Sequence, residues 1–180
     1  MNSNDPRARR TRNLITNAFF SLSQTKDFEQ ITIGDIAKQA DINRSTFYAH
    51  FEDKYALLDN IIESTMTFDL TSVNMSKTNL PESLPMLISK VYIFQQNILQ
   101  VCSKSALSLH AIIEERVKAA LKVAMAPVFD SLNTASTQML LTHYAAGIFA
   151  VVLSWPTGLT GSNLNSQIKE YSQLLTTSIG

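Results

Sequence analysis

The chain has few of the features that announce most function classes. It holds one cysteine, Cys102, and three histidines far apart in sequence. A lone thiol makes no internal disulfide, and the histidines have no metal-ligand spacing. Neither a glycine-rich phosphate loop nor a nucleophile elbow occurs among its five glycines. Charged residues make up only 17% and cancel to a net charge of zero. The chain is therefore no polycation, and any nucleic-acid binding must come from a local basic patch. No continuous apolar stretch follows the N-terminal arginines, so no signal peptide is expected. The most apolar window, Tyr144 to Leu153, falls short of the roughly 20 residues that span a bilayer. Flanked by His143 and Pro156, it reads as a buried core helix. These absences exclude a disulfide scaffold and argue against an enzyme, a metal site, a cofactor carrier or a membrane protein. They fit a reducing, cytoplasmic setting.

What is present is apolar material, 45% of 180 residues, enough for one compact unit or two small ones sharing a core. A surface normally carries about a quarter charge. The deficit here suggests apolar surface hidden between subunits, so a homodimer is expected. The apolar pattern is helical nearly throughout, which predicts an all-α fold.

Residues 1–12 are polar, with Arg7, Arg9, Arg10 and Arg12 against Asp5, and read as a basic arm. Leu14, Ile15, Ala18, Phe19 and Leu22 then recur at helical spacing, and this helix is expected to end near Lys26–Asp27. Thr32 and Asp35 stand three apart, a capping pair for a short helix from about Ile33 to Gln39. Asp41 sits where the chain must turn. Asn43 is a suitable N-cap for a third helix, Arg44 to His50. A fourth starts near Asp53 and carries Leu57, Leu58, Ile61, Ile62 and Met66 inward.

The third helix decides the reading. At about 100° per residue, Phe47 and Phe51 share one face, and Ser45, Thr46 and Ala49 lie opposite. Arg44, Tyr48 and His50 flank them. Aromatic anchors behind and small groups in front suit a helix that enters the DNA major groove, because long front-face residues would hold it away from the bases.

Residues 12–58 resemble the DNA-binding domain of the TetR family of transcriptional regulators. The resemblance is carried by Thr32-Ile33-Gly34-Asp35-Ile36-Ala37, by Asn43-Arg44-Ser45-Thr46-Phe47-Tyr48-Ala49-His50-Phe51, and by Asp53-Lys54 with Leu57-Leu58. It covers about a quarter of the chain. It implies an N-terminal three-helix helix-turn-helix domain (13–58, after the arm 1–12) followed by a C-terminal helical ligand-binding and dimerisation bundle (59–180). By position, Arg44 and Ser45 would face base edges. Thr46, Tyr48, His50 and Lys54 would hold phosphates, with Thr32 at the start of the second helix. Arg9, Arg10 and Arg12 either reach the adjacent backbone or minor groove or form a free basic tail.

Three departures matter. Gly34 stands where many members carry an arginine or other long base-reading residue, so specificity should lean on the third helix and on DNA shape. Ala49 replaces a frequent bulky aromatic. Asp27 and Asp41 occupy turn positions where glycine is common, and aspartate tolerates left-handed backbone.

Past Leu70 the chain turns polar over Thr71 to Asn79. Pro81 and Pro85 mark a helix carrying Leu84, Leu87, Ile88, Val91, Tyr92, Ile98 and Leu99. A further helical region runs from about Ser105 to Ala126, stopped by Pro127. A long apolar helix spans Gln138 to Trp155 before Pro156 and Gly158. Asn163 would cap a last helix bearing Ile168, Tyr171, Leu174 and Leu175.

The family's dimer interface, two helices per subunit, fits these last two helices. Their small residues Ala145, Ala146, Gly147 and Ala150 permit close packing. The family's effector pocket implies a small-molecule site among Tyr92, Phe94, Gln96, Phe129, His143 and Trp155, each of which could equally be plain core. His110 and His143 read as satisfied polar groups, Cys102 as a small buried hydrophobe, and Glu114 and Glu115 as a solvated helix face.

The expectation is a homodimeric repressor released from a palindromic operator by a small-molecule effector. The alternatives are a coactivator that binds a protein partner through its C-terminal domain and a helical module that binds no DNA.

Overall fold

The computed structural model describes residues 5–65, 70–101 and 106–179. Among them are eight α-helices, four short 3-10 turns and no strand. The expected positions of Met66 and Cys102 lie outside the described residues. The chain divides into two compact units, one of residues 1–67 with 98–110 and the other of 68–97 with 111–180.

The first unit opens with α1 (Pro6–Ser23), longer than the apolar stripe implied. Asp5 caps it by accepting from the Arg7 amide at 2.9 Å, and Pro6, which lacks an amide to orphan, takes the first position. The expected basic arm is thus helical from Pro6, with Ala8 already buried. Ile15, Ala18 and Phe19 form its inner face, whereas Leu14 is 43% exposed. A 3-10 turn at Phe28–Gln30 follows, and Asp27 caps it from extended backbone rather than in the left-handed turn expected there.

Next come α2 (Ile33–Gln39), α3 (Arg44–Tyr48) and α4 (Lys54–Thr65), with α1 packed on α2 and α2 on α3. Asp41, between α2 and α3, has φ +53°. It holds the sharp reversal in the left-handed region that short polar side chains tolerate. Leu57, Leu58, Ile61 and Ile62 of α4 are buried, as are Phe19, Phe28, Ile31, Ile36 and Phe47. Phe28 meets Phe19 edge-on at 6.0 Å and Tyr55 at 5.3 Å.

The second unit draws on α5 (Leu80–Val101), α6 (Ala106–Met125), α7 (Thr134–Leu153) and α8 (Gly161–Ile179). Leu84, Leu87, Ile88, Val91 and Tyr92 of α5 are buried at the expected spacing. Asn133 caps α7 by accepting from the Ser136 amide at 2.9 Å. Gly161, at φ +57°, begins α8, so Asn163 sits inside the helix instead of capping it. By length and composition α7 is apolar enough to cross a membrane, yet only 33% of its most apolar window is buried within the chain. The expected buried core helix is therefore buried on one side, at Leu141, Ala145, Ile148, Phe149 and Val152.

Candidate nucleic-acid interface

The site is built on α2 and α3, and both are fixed locally. Thr32 and Asp35 make the reciprocal capping box their spacing predicted. The Asp35 amide donates to Thr32 Oγ1 at 3.1 Å, and the Thr32 amide donates to Asp35 Oδ2 at 3.0 Å. The Thr32 hydroxyl also donates to that carboxylate at 2.8 Å, and Lys26 pairs with it at 3.1 Å. The Thr32 backbone bond chiefly, then its hydroxyl and Lys26, lower the Asp35 carboxyl from 3.8 to about 2.

The resulting stability is present above the unfolded value near 4 and is lost as pH falls through about 2. Asp35→Asn should accordingly lower the urea midpoint at pH 7. Its deficit against wild type should close as both proteins are titrated from pH 4 towards 2, as followed by circular dichroism. A deficit that does not change with pH would show that the ionised carboxylate is not what holds the turn.

Behind α3, Phe47 is fully buried and Phe51 is 6% exposed, their rings 5.8 Å apart. In front, Arg44, Ser45, Tyr48 and Ala49 are exposed, and Thr46 and His50 are half-buried. The Tyr48 ring stands perpendicular to Phe47 at 5.8 Å, with 56% of the residue exposed. The α-helix is two residues shorter than expected, ending at Tyr48, but the following turn keeps His50 and Phe51 in place through amide bonds to the Phe47 carbonyl. Asn43 is the N-cap by position and makes no side-chain cap bond.

His50 titrates below its ordinary value, through burial first and then the positive charge of Arg12. The Arg12 Nε is itself buried without a hydrogen-bond partner among the described residues. The charge of a cation from α1 is thus felt at an imidazole in the turn after α3. Sequence reasoning named both but did not join them.

Lys54 departs from expectation. Its ammonium is turned inward, donating to the carbonyls of Phe28 at 2.9 Å, Glu29 at 3.3 Å and Ile31 at 3.4 Å. It lies 4.5 Å from the Phe28 ring centroid, and the side chain is 15% exposed. A side chain so engaged joins α4 to the turn before α2, and the expected phosphate contact by its ammonium is not what this geometry offers.

Several of the side chains expected to line an effector site are engaged within the chain. The Tyr92 hydroxyl donates to the Pro156 carbonyl at 3.1 Å and accepts from the Leu159 amide at 2.7 Å. Gln96 Oε1 accepts from the Gly158 amide at 3.0 Å. Both therefore fasten the connection between α7 and α8, where Gly158 holds φ +77°. Trp155 packs between Tyr92 and Tyr171, at 6.0 and 6.3 Å. Phe129 stacks on Tyr144 at 5.7 Å, Phe94 is core, and His143 is exposed. An open groove of about 740 Å³ in this unit is lined instead by residues of α5 and α8, among them Pro81, Pro85, Lys169 and Thr176. None of the six lines it. The apolar alternation showed that these positions pack, but their partners come from far along the chain.

Residues 15–61 match the family described as bacterial regulatory proteins, tetR family. Over 60 residues the chain is 40% identical to an uncharacterized HTH-type transcriptional regulator, YxbF, of Bacillus subtilis strain 168. That match covers 33% of this chain and 16% of the relative. Over 54 residues it is 39% identical to DhaS of Lactococcus lactis, described as an HTH-type dhaKLM operon transcriptional activator, covering 30% and 29%. The matches thus span less than a third of either relative's length. The whole fold is similar to the crystal structure of a TetR transcriptional regulator from Streptococcus agalactiae 2603V. The TM-score is 0.60 at 20% identity, with 96% of each chain covered. With the capped pair α2–α3 and its aromatic anchors, residues 15–61 carry the DNA-binding domain of the tetR family of bacterial regulatory proteins, and the all-helical fold of the described residues is similar to that of a TetR regulator.

Proposed function

We propose that the chain is a sequence-specific DNA-binding transcription regulator, acting as a homodimeric repressor that a small-molecule effector releases from a palindromic operator. The observation that carries the DNA reading is the two-sided α3. Phe47 and Phe51 hold it from behind, and Arg44, Ser45 and Tyr48 are exposed in front. Arg44 and Ser45 address base edges, and Tyr48, Thr46 and His50 address phosphates. Thr32 acts through the capping box that fixes α2.

Dimerisation is supported by apolar surface that the single chain leaves uncovered. Most of the α7 window is unburied, and Met139, Leu153 and Leu174 are exposed at 70%, 39% and 65%. Effector release would follow from a ligand that favours a dimer whose recognition helices are wrongly spaced for DNA.

Selection of a random duplex library with the purified protein tests the reading. A two-fold symmetric sequence should be enriched, with half-sites about one helical turn, or near 34 Å, apart. Absence of any enrichment at low salt would refute it.

The Arg12 charge felt at the His50 imidazole adds a pH dependence. A phosphate placed between them favours the imidazolium, so binding takes up a proton. Affinity for the selected duplex should therefore tighten as pH falls from about 7.5 to about 6. The slope should vanish in His50→Gln, and a slope preserved in that variant would remove His50 from the contact.

A second reading is supported by the likeness to DhaS, whose description is that of an activator. In it the second unit binds a protein partner. Gel filtration of the complex recovered from native lysate separates the two: a stoichiometric second protein favours the partner, and a small molecule that dissociates DNA favours the effector.

A further inference from the structure

Gly34 is the second residue of α2 and lies in ordinary helical backbone, with no positive φ. The conformational freedom of glycine is therefore unused there, in a helix where it is the least favourable residue after proline. What the position supplies is room. A β-carbon built on Gly34 overlaps Nη2 of Arg44 and falls 3.1 Å from its Cζ and 3.2 Å from its Nε. The guanidinium, which comes from the first residue of α3, thus occupies the volume an alanine methyl would take. Among the described residues it makes no hydrogen bond or ion pair. Its place is set by shape, and its five donors remain available.

The geometry points to Gly34 as a specificity-determining positioning residue, whose missing side chain is the notch that seats the Arg44 guanidinium beside the first turn of α2 for a guanine edge in duplex DNA. This rests on the DNA-binding reading above. Guanine fits because its O6 and N7 acceptors match the two-pronged donor face of arginine. A methyl group at 34 must expel the guanidinium, because the end of Arg44 is flexible whereas the α2 backbone is held by the capping box. The fold should survive that change, and the base preference should not.

The test compares wild type, Gly34→Ala, Arg44→Ala and the double variant. Each is titrated with the selected duplex and with one in which its most strongly preferred guanine is replaced. Wild type should discriminate by about 10-fold or more. Each single variant should bring the ratio close to one, and the double variant should lose nothing further, since both remove the same contact. Gly34→Ala should melt no lower than wild type. In the free protein it should also shift the Arg44 Nε–Hε resonance in a nitrogen–proton correlation spectrum.

Full discrimination in Gly34→Ala, where Arg44→Ala has lost it, overturns the notch and leaves DNA binding intact. So does additivity of the two substitutions. A lowered melting point in Gly34→Ala overturns it as well, because the guanidinium would then not yield. A wild-type protein that selects no duplex overturns the DNA reading and the notch together.

Discussion

Phe47→Ala is expected to cost about 3–5 kcal/mol, the usual penalty for truncating a fully buried phenylalanine. The Phe47 ring is entirely enclosed, touches Phe51 and Tyr48, and is the sole buried residue of a five-residue helix. A helix this short has no independent stability, since nucleation alone outweighs its few hydrogen bonds. Removing the ring therefore removes the reason α3 exists, and the cavity cannot be filled by a neighbour from the same turn. Chemical denaturation should show the first transition moved to much lower denaturant, with DNA binding lost in step with folding. Phe47→Leu keeps most of the volume and should retain both. If Phe47→Ala melts within about 1 kcal/mol of wild type, the anchor is not where the structure places it.

The second large effect is expected at Lys54, whose ammonium the structure turns inward on the chain itself. Three carbonyls, of Phe28, Glu29 and Ile31, converge on its ammonium. Lys54→Met keeps the stem but removes the donor that all three carbonyls share, leaving Phe28 only the Ile31 amide, at a cost of about 1–3 kcal/mol. The Glu29 carboxylate, 61% exposed and 3.8 Å away, adds little because water screens it.

Stability alone would not separate a structural role from a DNA contact, but salt dependence does. A lysine that neutralises a phosphate contributes about one unit to the slope of log affinity against log salt. Measured well below the melting point of the variant, Lys54→Met should keep the wild-type slope. A slope reduced by about one unit would restore the phosphate contact and contradict the inward placement.

These two residues show where sequence is informative. The Phe47/Phe51 pair and the Thr32/Asp35 box are each separated by one helical turn, so spacing alone places both members on one face or at one cap. Lys54 draws on acceptors 23 to 26 residues upstream, and periodicity says nothing about them. The same holds for the charge of Arg12 felt at His50 and for Arg44 over Gly34, which arise only after the chain has turned back on itself. Local signals were also present and outranked. Asp5-Pro6 is a good helix start, yet the arginine run after it suggested an arm.

In the second unit the limit is different. The α7 helix is apolar on nearly all sides, so its sequence cannot say which side faces the core. His143 fell on the outside and Phe149 on the inside. The proposed lining residues Tyr92 and Gln96 are polar at their tips because they satisfy backbone groups of the 156–159 turn. A ligand-facing role and that structural role look alike in one dimension.

The central claim is that the exposed side of α3 meets duplex DNA. The most direct measurement is a low-salt titration of the selected fluorescent duplex with wild type and with an Arg44→Ala/Tyr48→Ala double variant. Both residues are exposed, so folding is spared. Affinity should fall at least about 10-fold. Binding as tight as that of wild type would contradict the account.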